Sequence, residues 1–466
     1  MNYFKGVTMQ ADERTDRRCT RRRVLHAGAG ALAAAGASPL LTRAALWAAA
    51  PDRETTDDPP FRTPSEPANS PIGVGQGIHP GRVAWVHEPK AATWDGKTGN
   101  WWDDGNTDPR LVDGMVSAGL RSLAGERNDE AAWKALFQFF HHSRELPGAG
   151  YRPGEKIAIK LNANQDRPGA WRFGAGMPSP QVVYSLVHQL ITAGGVRGQD
   201  ITLYDASRYI GDPIYNRIRA NPDPNFQAVR FVVSQRMAGG GRVAAAPDKA
   251  APVRFSRSGV PTALLPDCVT EASYVINVAL SRAHGLMGVT QTAKNQFGSV
   301  YFEGVGFTPR PLHDFASRDL PMGSYNCLVD LIAHKHLGGK TMLYLIDFLY
   351  VAESQNERVI KYASFQDHWC SSLFVSQDPV AIDSVGLDFI RSEPRALECR
   401  GNPENYLHEA ALAGKAPSGT VYDPDRDGAP AESLGVHEHW NNATDRKYSR
   451  NLGKREGIEL VGGLQA

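Results

Sequence analysis

The sequence predicts an α/β fold: a mainly parallel sheet with helices on both faces, plus an irregular C-terminal tail. Three observations carry this expectation. Short apolar runs rich in β-branched residues alternate with longer segments of helical period. Turn-forming residues separate these runs, with 46 glycines and 31 prolines among 466 residues. Hydrophobic residues make up 41% of the chain, enough for one large core or two smaller ones and too many for a wholly disordered chain.

The folded part is expected to start at the short strand Arg82–Val86. A loop rich in Trp and Asp follows, with Trp94, Asp95, Trp101, Trp102, Asp103 and Asp104. Two helical patterns come next, Arg110–Leu123 and Asp129–Arg144, the second placing Trp133, Leu136, Phe137 and Phe140 on one face. Lys156–Leu161 reads as a strand. Ser179-Pro180 reads as a cap with proline in the first turn, opening a helix through Leu190 that closes at Gly194-Gly195. Strands are expected at Ile201–Tyr204, Val229–Val233, Tyr274–Val278 and Thr341–Ile346, and Leu373–Val375 leads into Asp378-Pro379 and a helix through Ile390. Gln235–Arg257 reads as an insertion or hairpin, and Cys327–Leu337 as helical.

Residues 1–50 read as an address rather than structure. The basic run Arg17-Arg18 and Arg21-Arg22-Arg23 precedes a weakly apolar Ala/Gly stretch, Val24–Ala37, and Thr20–His26 resembles the twin-arginine export signal. The apolar stretch is too short and Gly-rich for a stable membrane span. Small-x-small triplets place cleavage after Ala37 or near Ala50. The expected location is the periplasm or the extracellular space, and the first partner is the twin-arginine export machinery. Residues 51–80 read as a flexible linker, 81–417 as the α/β domain, and 418–466 as a polar tail packing on it. The full chain carries 51 basic and 50 acidic residues, and this balance argues against a nucleic-acid binder. Residues 1–50 hold eight of the basic and three of the acidic side chains, so removing them leaves a net charge near −4. Beyond Cys19 the cysteines are Cys268, Cys327, Cys370 and Cys399, with no Cys-x-x-Cys pair, and buried free thiols are the default reading.

In open α/β sheets ligands bind beyond the carboxyl ends of the strands. There this sequence carries Lys160 and Asn162, Asp205 and Ser207, Asn277, and Asp347. The stretch Ser281–Gly298 after Asn277 packs Arg282, His284, Lys294, Asn295 and three glycines together. Histidine suits acid–base work or metal ligation, and Lys294 with Arg282 suits a carboxylate or phosphate. The competing reading makes Lys294 the partner of a strand-end Asp and His284 a turn cap. There is no Gly-x-Ser-x-Gly elbow and no Walker loop.

These pieces together resemble the domain-of-unknown-function 362 family. The matching residues are Ile159-Lys160-Leu161-Asn162, Ser179-Pro180, the Asn-bearing strand Ala272–Val278, His284…Thr290…Lys294-Asn295…Gly298, then His313, Asp330, Asp347 and Asp378-Pro379-Val380-Ala381-Ile382-Asp383. The resemblance covers roughly 155–392. It implies an architecture and candidate residues, not a reaction. The family pattern commonly has Lys where this chain has Ser281 or Arg282. Many members also carry a ferredoxin-like module whose cysteines are missing here, so no iron–sulfur cluster is expected. Asp378 reads as a helix cap, and Asp383, set among apolar residues, as a buried anchor for Lys294 or Lys160.

Two further signals lie in the tail. Asp423-Pro424-Asp425-Arg426-Asp427-Gly428 starts like an EF-hand loop, but Leu434 stands where the closing Glu belongs. His437-Glu438-His439 on an extended segment points both imidazoles to one side, a pair suited to a divalent ion, with His284, His313 or Asp347 as the third ligand. His334-Lys335-His336 has the same spacing but lies in a helical pattern, where such residues do not share a face.

The functional expectation is an exported enzyme of hydrolase, lyase or isomerase type acting on a small anionic or polyhydroxylated substrate. His284, Lys294 and Asp347 would be catalytic. Lys160, Asn162, Asp205, Asn277, Arg282 and Asn295 would bind substrate, and His313, His437 and His439 would hold any divalent metal. The alternative is a non-catalytic protein that captures a solute or metal outside the membrane, with Trp94, Trp101 and Trp102 stacking on sugars.

Overall fold

Strand residues alternate between the two faces of a sheet, and the apolar strands here are buried on both. The computed structural model describes residues 64 and 66–463. They belong to one compact unit, Asp58–Ala466; the export signal and its cleavage sites lie outside the described residues. A nine-stranded sheet forms the centre. Its strands in chain order are β1 (Arg82–His87), β2 (Ile157–Leu161), β3 (Ile201–Asp205), β4 (Arg230–Val233), β5 (Val243–Ala244), β6 (Tyr274–Leu280), β7 (Thr341–Phe348), β8 (Ser372–Ser376) and β9 (Glu459–Gly463). Across the sheet the order is β9-β1-β8-β7-β6-β2-β3-β4-β5. Only β8 runs against the others; it is antiparallel to both of its neighbours, β1 and β7.

Helices cover both faces, as the alternating pattern predicts. α1 (Pro109–Ala124), α2 (Asp129–Ser143), α3 (Pro180–Thr192) and α4 (Asp212–Arg219) pack on the face that presents Ile157, Ile159, Leu161 and Leu203. The short α5 (Thr292–Asn295), α6 (Cys327–Ala333), α7 (Pro379–Arg391) and α8 (Asn405–Ala411) lie on the face that presents Ala158, Val275, Ala279 and Ile346. The insertion read at Gln235–Arg257 contributes β5 and one strand of a second, four-stranded sheet, Pro247–Val253 paired with Ala263–Pro266. Cys268, Cys327, Cys370 and Cys399 are buried free thiols.

Four local expectations differ from the structure. Ser179 makes no side-chain cap; its N–H instead donates to Asp347 Oδ2 at 2.7 Å. The helix read as Cys327–Leu337 ends at Ala333, because the chain doubles back so closely that a Cβ at Gly338 would stand 1.7 Å from the Ile332 carbonyl oxygen. The His334 and His336 rings then stand on one side of a turn, 5.7 Å apart, not on different faces of a helix. The tail does more than lie on the domain: it supplies β9 at the sheet edge, and Val436-His437 pairs with Ile72-Gly73 of the segment read as a linker.

Asp378 ties these pieces together. Its Oδ1 accepts from Val380 N at 3.0 Å and Ala381 N at 2.8 Å, capping α7, while Oδ2 accepts from Gln76 N at 2.8 Å and Val436 N at 3.2 Å. Burial pushes its pKa up to about 7. A Cβ on Gly435 would lie 2.1 Å from Oδ1, so only glycine fits there. Asp378→Ala leaves four N–H groups without their acceptor. The expected loss is about 2 kcal/mol or more by urea unfolding. A loss below about 0.5 kcal/mol would contradict this role.

Candidate functional site

Period two along β2 and β6 puts Lys160 and Asn277 on the α5–α8 face, near the carboxyl ends of their strands. Lys160 is 1% exposed. Its ammonium donates to Asp205 Oδ2 at 3.1 Å, Asn295 Oδ1 at 3.1 Å and the Leu161 carbonyl. Asn295 Nδ2 donates to Asn277 Oδ1 at 2.7 Å and to the Val278 carbonyl at 3.1 Å, and Asn277 Nδ2 to the Thr292 carbonyl at 2.9 Å. Asp205 also accepts from Ser207 N and Oγ and from Ala163 N. A Cβ on Gly298 would lie 2.5 Å from Lys160 Nζ, so glycine lets the α5 turn close over the pair. The network is saturated. Lys160, Asp205, Asn277 and Asn295 converge as expected, but they bind one another.

Asp383 fixes the turn that carries Lys294. Its carboxylate accepts from Thr292 N at 2.9 Å, Thr292 Oγ1 at 2.7 Å, Ala293 N at 3.0 Å and Tyr406 Oη at 3.0 Å. Burial lifts its pKa to about 6. Asp383 therefore anchors the backbone of α5, not a lysine side chain as expected.

Lys294 and Arg282 are in a different position from Lys160. Burial holds the Lys294 ammonium well below the ordinary lysine range, and Arg282 and Arg208 lower it further. Arg282 is 1% exposed and burial pushes it down to about 10. Its Nη1 donates to the Gly176 carbonyl at 2.9 Å, but its Nε and Nη2 are buried without partners. So are the hydroxyls of Thr290, which faces it across a short hairpin, and Tyr362. Among the described residues, no carboxylate acts on either cation.

His284 lies in the same field. Burial, then Lys294, His313 and Arg282, hold it well below its ordinary value, so it is neutral near pH 7. Its Nδ1 accepts from Leu286 N at 3.1 Å and Met287 N at 3.3 Å. The proton therefore sits on Nε2, which makes the ring a donor. That tautomer suits proton donation to an oxyanion and does not suit metal ligation through Nε2. Burial and then Lys294 push His313 down to about 4.

Other expected residues stand apart. Asp347 is buried and uses its oxygens on Ser179 N at 2.7 Å and Leu349 N at 3.2 Å, which positions α3. Asn162 is buried at the end of β2. His313 belongs with Lys294, so it is not the third partner of His437 and His439; the ring beside His437 is that of His408 on α8, 4.8 Å away centroid to centroid. The sequence reading missed this histidine because it sits alone in an unremarked helical pattern. The EF-hand-like loop uses its carboxylates on its own turn and on Lys335 N. Trp94 and Trp101 are core residues, 3% and 0% exposed. Trp102 lines an open cleft of about 1120 Å³ with Trp171, Tyr184, Asp103 and Arg217, and none of the expected site residues lines it.

Among the described residues no helix is long and apolar enough to cross a membrane. No curated protein matches the chain. The family model described as Domain of unknown function (DUF362) matches residues 157–388. That span runs from β2 into α7 and contains Lys160, Asp205, Asn277, Arg282, His284, Lys294, Asn295 and Asp383. The match supports the resemblance to this family read from the sequence, over residues 157–388.

Proposed function

We propose that this is an exported protein that holds a small anionic molecule at the carboxyl rim of its sheet. Arg282 and Lys294 would supply the charge, and His284 a hydrogen bond or proton. The supporting observation is the contrast between two lysines on one rim. Lys160 has Asp205; Lys294 and its neighbour Arg282 have no carboxylate among the described residues. A buried cation without a counter-charge is costly, and an incoming carboxylate or phosphate removes that cost. A neutral Nε2–H donor beside two cations can also stabilise charge that develops on a substrate oxygen. This favours acid–base chemistry on an anionic substrate, of hydrolase, lyase or isomerase type.

A second reading keeps the anion and drops the turnover. It is favoured by Asp347, whose oxygens are committed to backbone N–H groups, so that it does not serve His284 as a base. The protein would then be a non-catalytic solute-binding protein outside the membrane.

The export reading rests on Arg21-Arg22-Arg23 and the weakly apolar stretch behind them. Replacing Arg21 and Arg22 with Lys is expected to hold the full chain in the cytoplasm, as read by fractionation; unchanged export would refute the twin-arginine route. Anion binding is tested with inorganic phosphate by isothermal titration calorimetry. The wild type is expected to bind with proton uptake at pH values above the depressed Lys294 pKa, because the anion raises it. The affinity falls as pH rises and Lys294 loses its proton. Lys294→Gln should weaken binding by about tenfold or more. Absence of phosphate binding, or equal affinity in the wild type and Lys294→Gln, would overturn the proposal.

A further inference from the structure

Outside the matched domain, three imidazoles meet one carboxylate. His408 comes from α8, His437 and His439 from the tail, and Glu66 from the segment preceding β1. The His437 ring lies 4.8 Å from the His408 ring and 4.8 Å from the His439 ring, centroid to centroid. His437 and His439 are 2% and 4% exposed. Glu66 Oε1 stands 2.8 Å from His408 Nε2, and Oε2 stands 3.9 Å from His439 Nε2. The Nε2 atoms of His437 and His439 and Glu66 Oε2 are buried without a hydrogen-bond partner, while His408 Nε2 faces Glu66 Oε1.

The opposite edges of two rings fix their tautomers. His439 Nδ1 lies 2.7 Å from Asp388 Oδ1, a carboxylate that can only accept, so Nδ1 carries the proton. Ser384 Oγ spends its one proton on the Val380 carbonyl at 2.7 Å, so it accepts from His437 Nδ1 at 2.8 Å. Ser384 and Asp388 are four residues apart on one face of α7. Both rings therefore present bare Nε2 lone pairs to the cluster, the reverse of His284. A carboxylate or hydroxyl behind the distal nitrogen is how metal-ligating histidines are oriented. The cation facing the cluster, Arg391, donates through Nη2 to Glu404 at 2.6 Å, while its Nε and Nη1 are buried without partners.

We infer that His408, His437, His439 and Glu66 bind one divalent cation of the Zn²⁺ class through three imidazole nitrogens and a carboxylate oxygen. This donor set is a tetrahedral, closed one. Among the described residues no three His, Cys, Asp or Glu side chains already stand in a metal-binding array. Binding would require the four side chains to close on the ion from their present positions, and Glu66, with 25% side-chain exposure, is the least buried of them. The ion would cross-link the N-terminal segment, α8 and the tail, three pieces distant in sequence, and so act as a structural clamp. This site goes beyond the anion rim and does not depend on it.

The test uses chelator-treated full-length protein and Zn²⁺ alone. Competition with a chromogenic chelator gives affinity and stoichiometry, and thermal unfolding gives the effect on stability. One ion per chain with a raised melting temperature is expected. His408→Gln and Glu66→Gln, each checked for folding by circular dichroism, should each lower Zn²⁺ affinity by about tenfold or more and leave phosphate binding unchanged. His437→Gln should do the same; should it fail to fold, the two more exposed variants carry the test. Failure of the wild type to bind Zn²⁺, or unchanged affinity in both His408→Gln and Glu66→Gln, would overturn the inference.

Discussion

A cation taken out of water must find an anion, and the carboxyl rim of this sheet satisfies that demand for one lysine only. Lys160 is enclosed with Asp205, the Asn295 amide oxygen and the Leu161 carbonyl, so its charge belongs to the fold. Lys294 and Arg282 sit nearby without such a partner, and each depresses the ionisation of the other groups around it. The difference separates a structural polar network from a place prepared for a ligand. Both contain the residue types that sequence reading assigns to a site, and only the partner list tells them apart.

One helix does much of the arranging. α7 begins at Asp378, which caps it and holds both the N-terminal segment and the tail. One turn later Asp383 grips α5 and so places Lys294. On an adjoining face Ser384 and Asp388 set the tautomers of His437 and His439. Three carboxylates and one hydroxyl, on the helix and its cap from Asp378 to Asp388, thus connect the anion rim, the chain ends and the histidine cluster. Burial raises the pKa of Asp378 and Asp383, and backbone N–H groups, not salt bridges, hold the charge in place.

The sheet was legible because its signals are local. Apolar β-branched runs such as Ile157–Leu161 and Tyr274–Leu280 bury both faces, and the polar residues at their ends do meet. What the sequence concealed are bonds between a side chain and a distant backbone. Asp347 serving Ser179 and Asp383 serving Thr292 leave no periodic trace, so both acids read as chemistry or as lysine anchors. The direction of β8 and the capture of Glu459–Gly463 into the sheet depend on long-range pairing, which periodicity does not encode. The His-x-His pair was visible, but its neighbours were not: His408 and Glu66 reach it only through the packing of α8 and the N-terminal segment.

The central claim, that Lys294 is a half-buried charge awaiting an anion while Lys160 is already paired, is tested most directly by equilibrium unfolding of Lys294→Met and Lys160→Met in phosphate-free buffer. Removing an unpaired cation relieves its desolvation, so Lys294→Met should match the wild type in stability or exceed it by up to about 1 kcal/mol. Removing the paired one strands Asp205, so Lys160→Met should lose about 3 kcal/mol or more. A comparable loss in both variants would contradict the account.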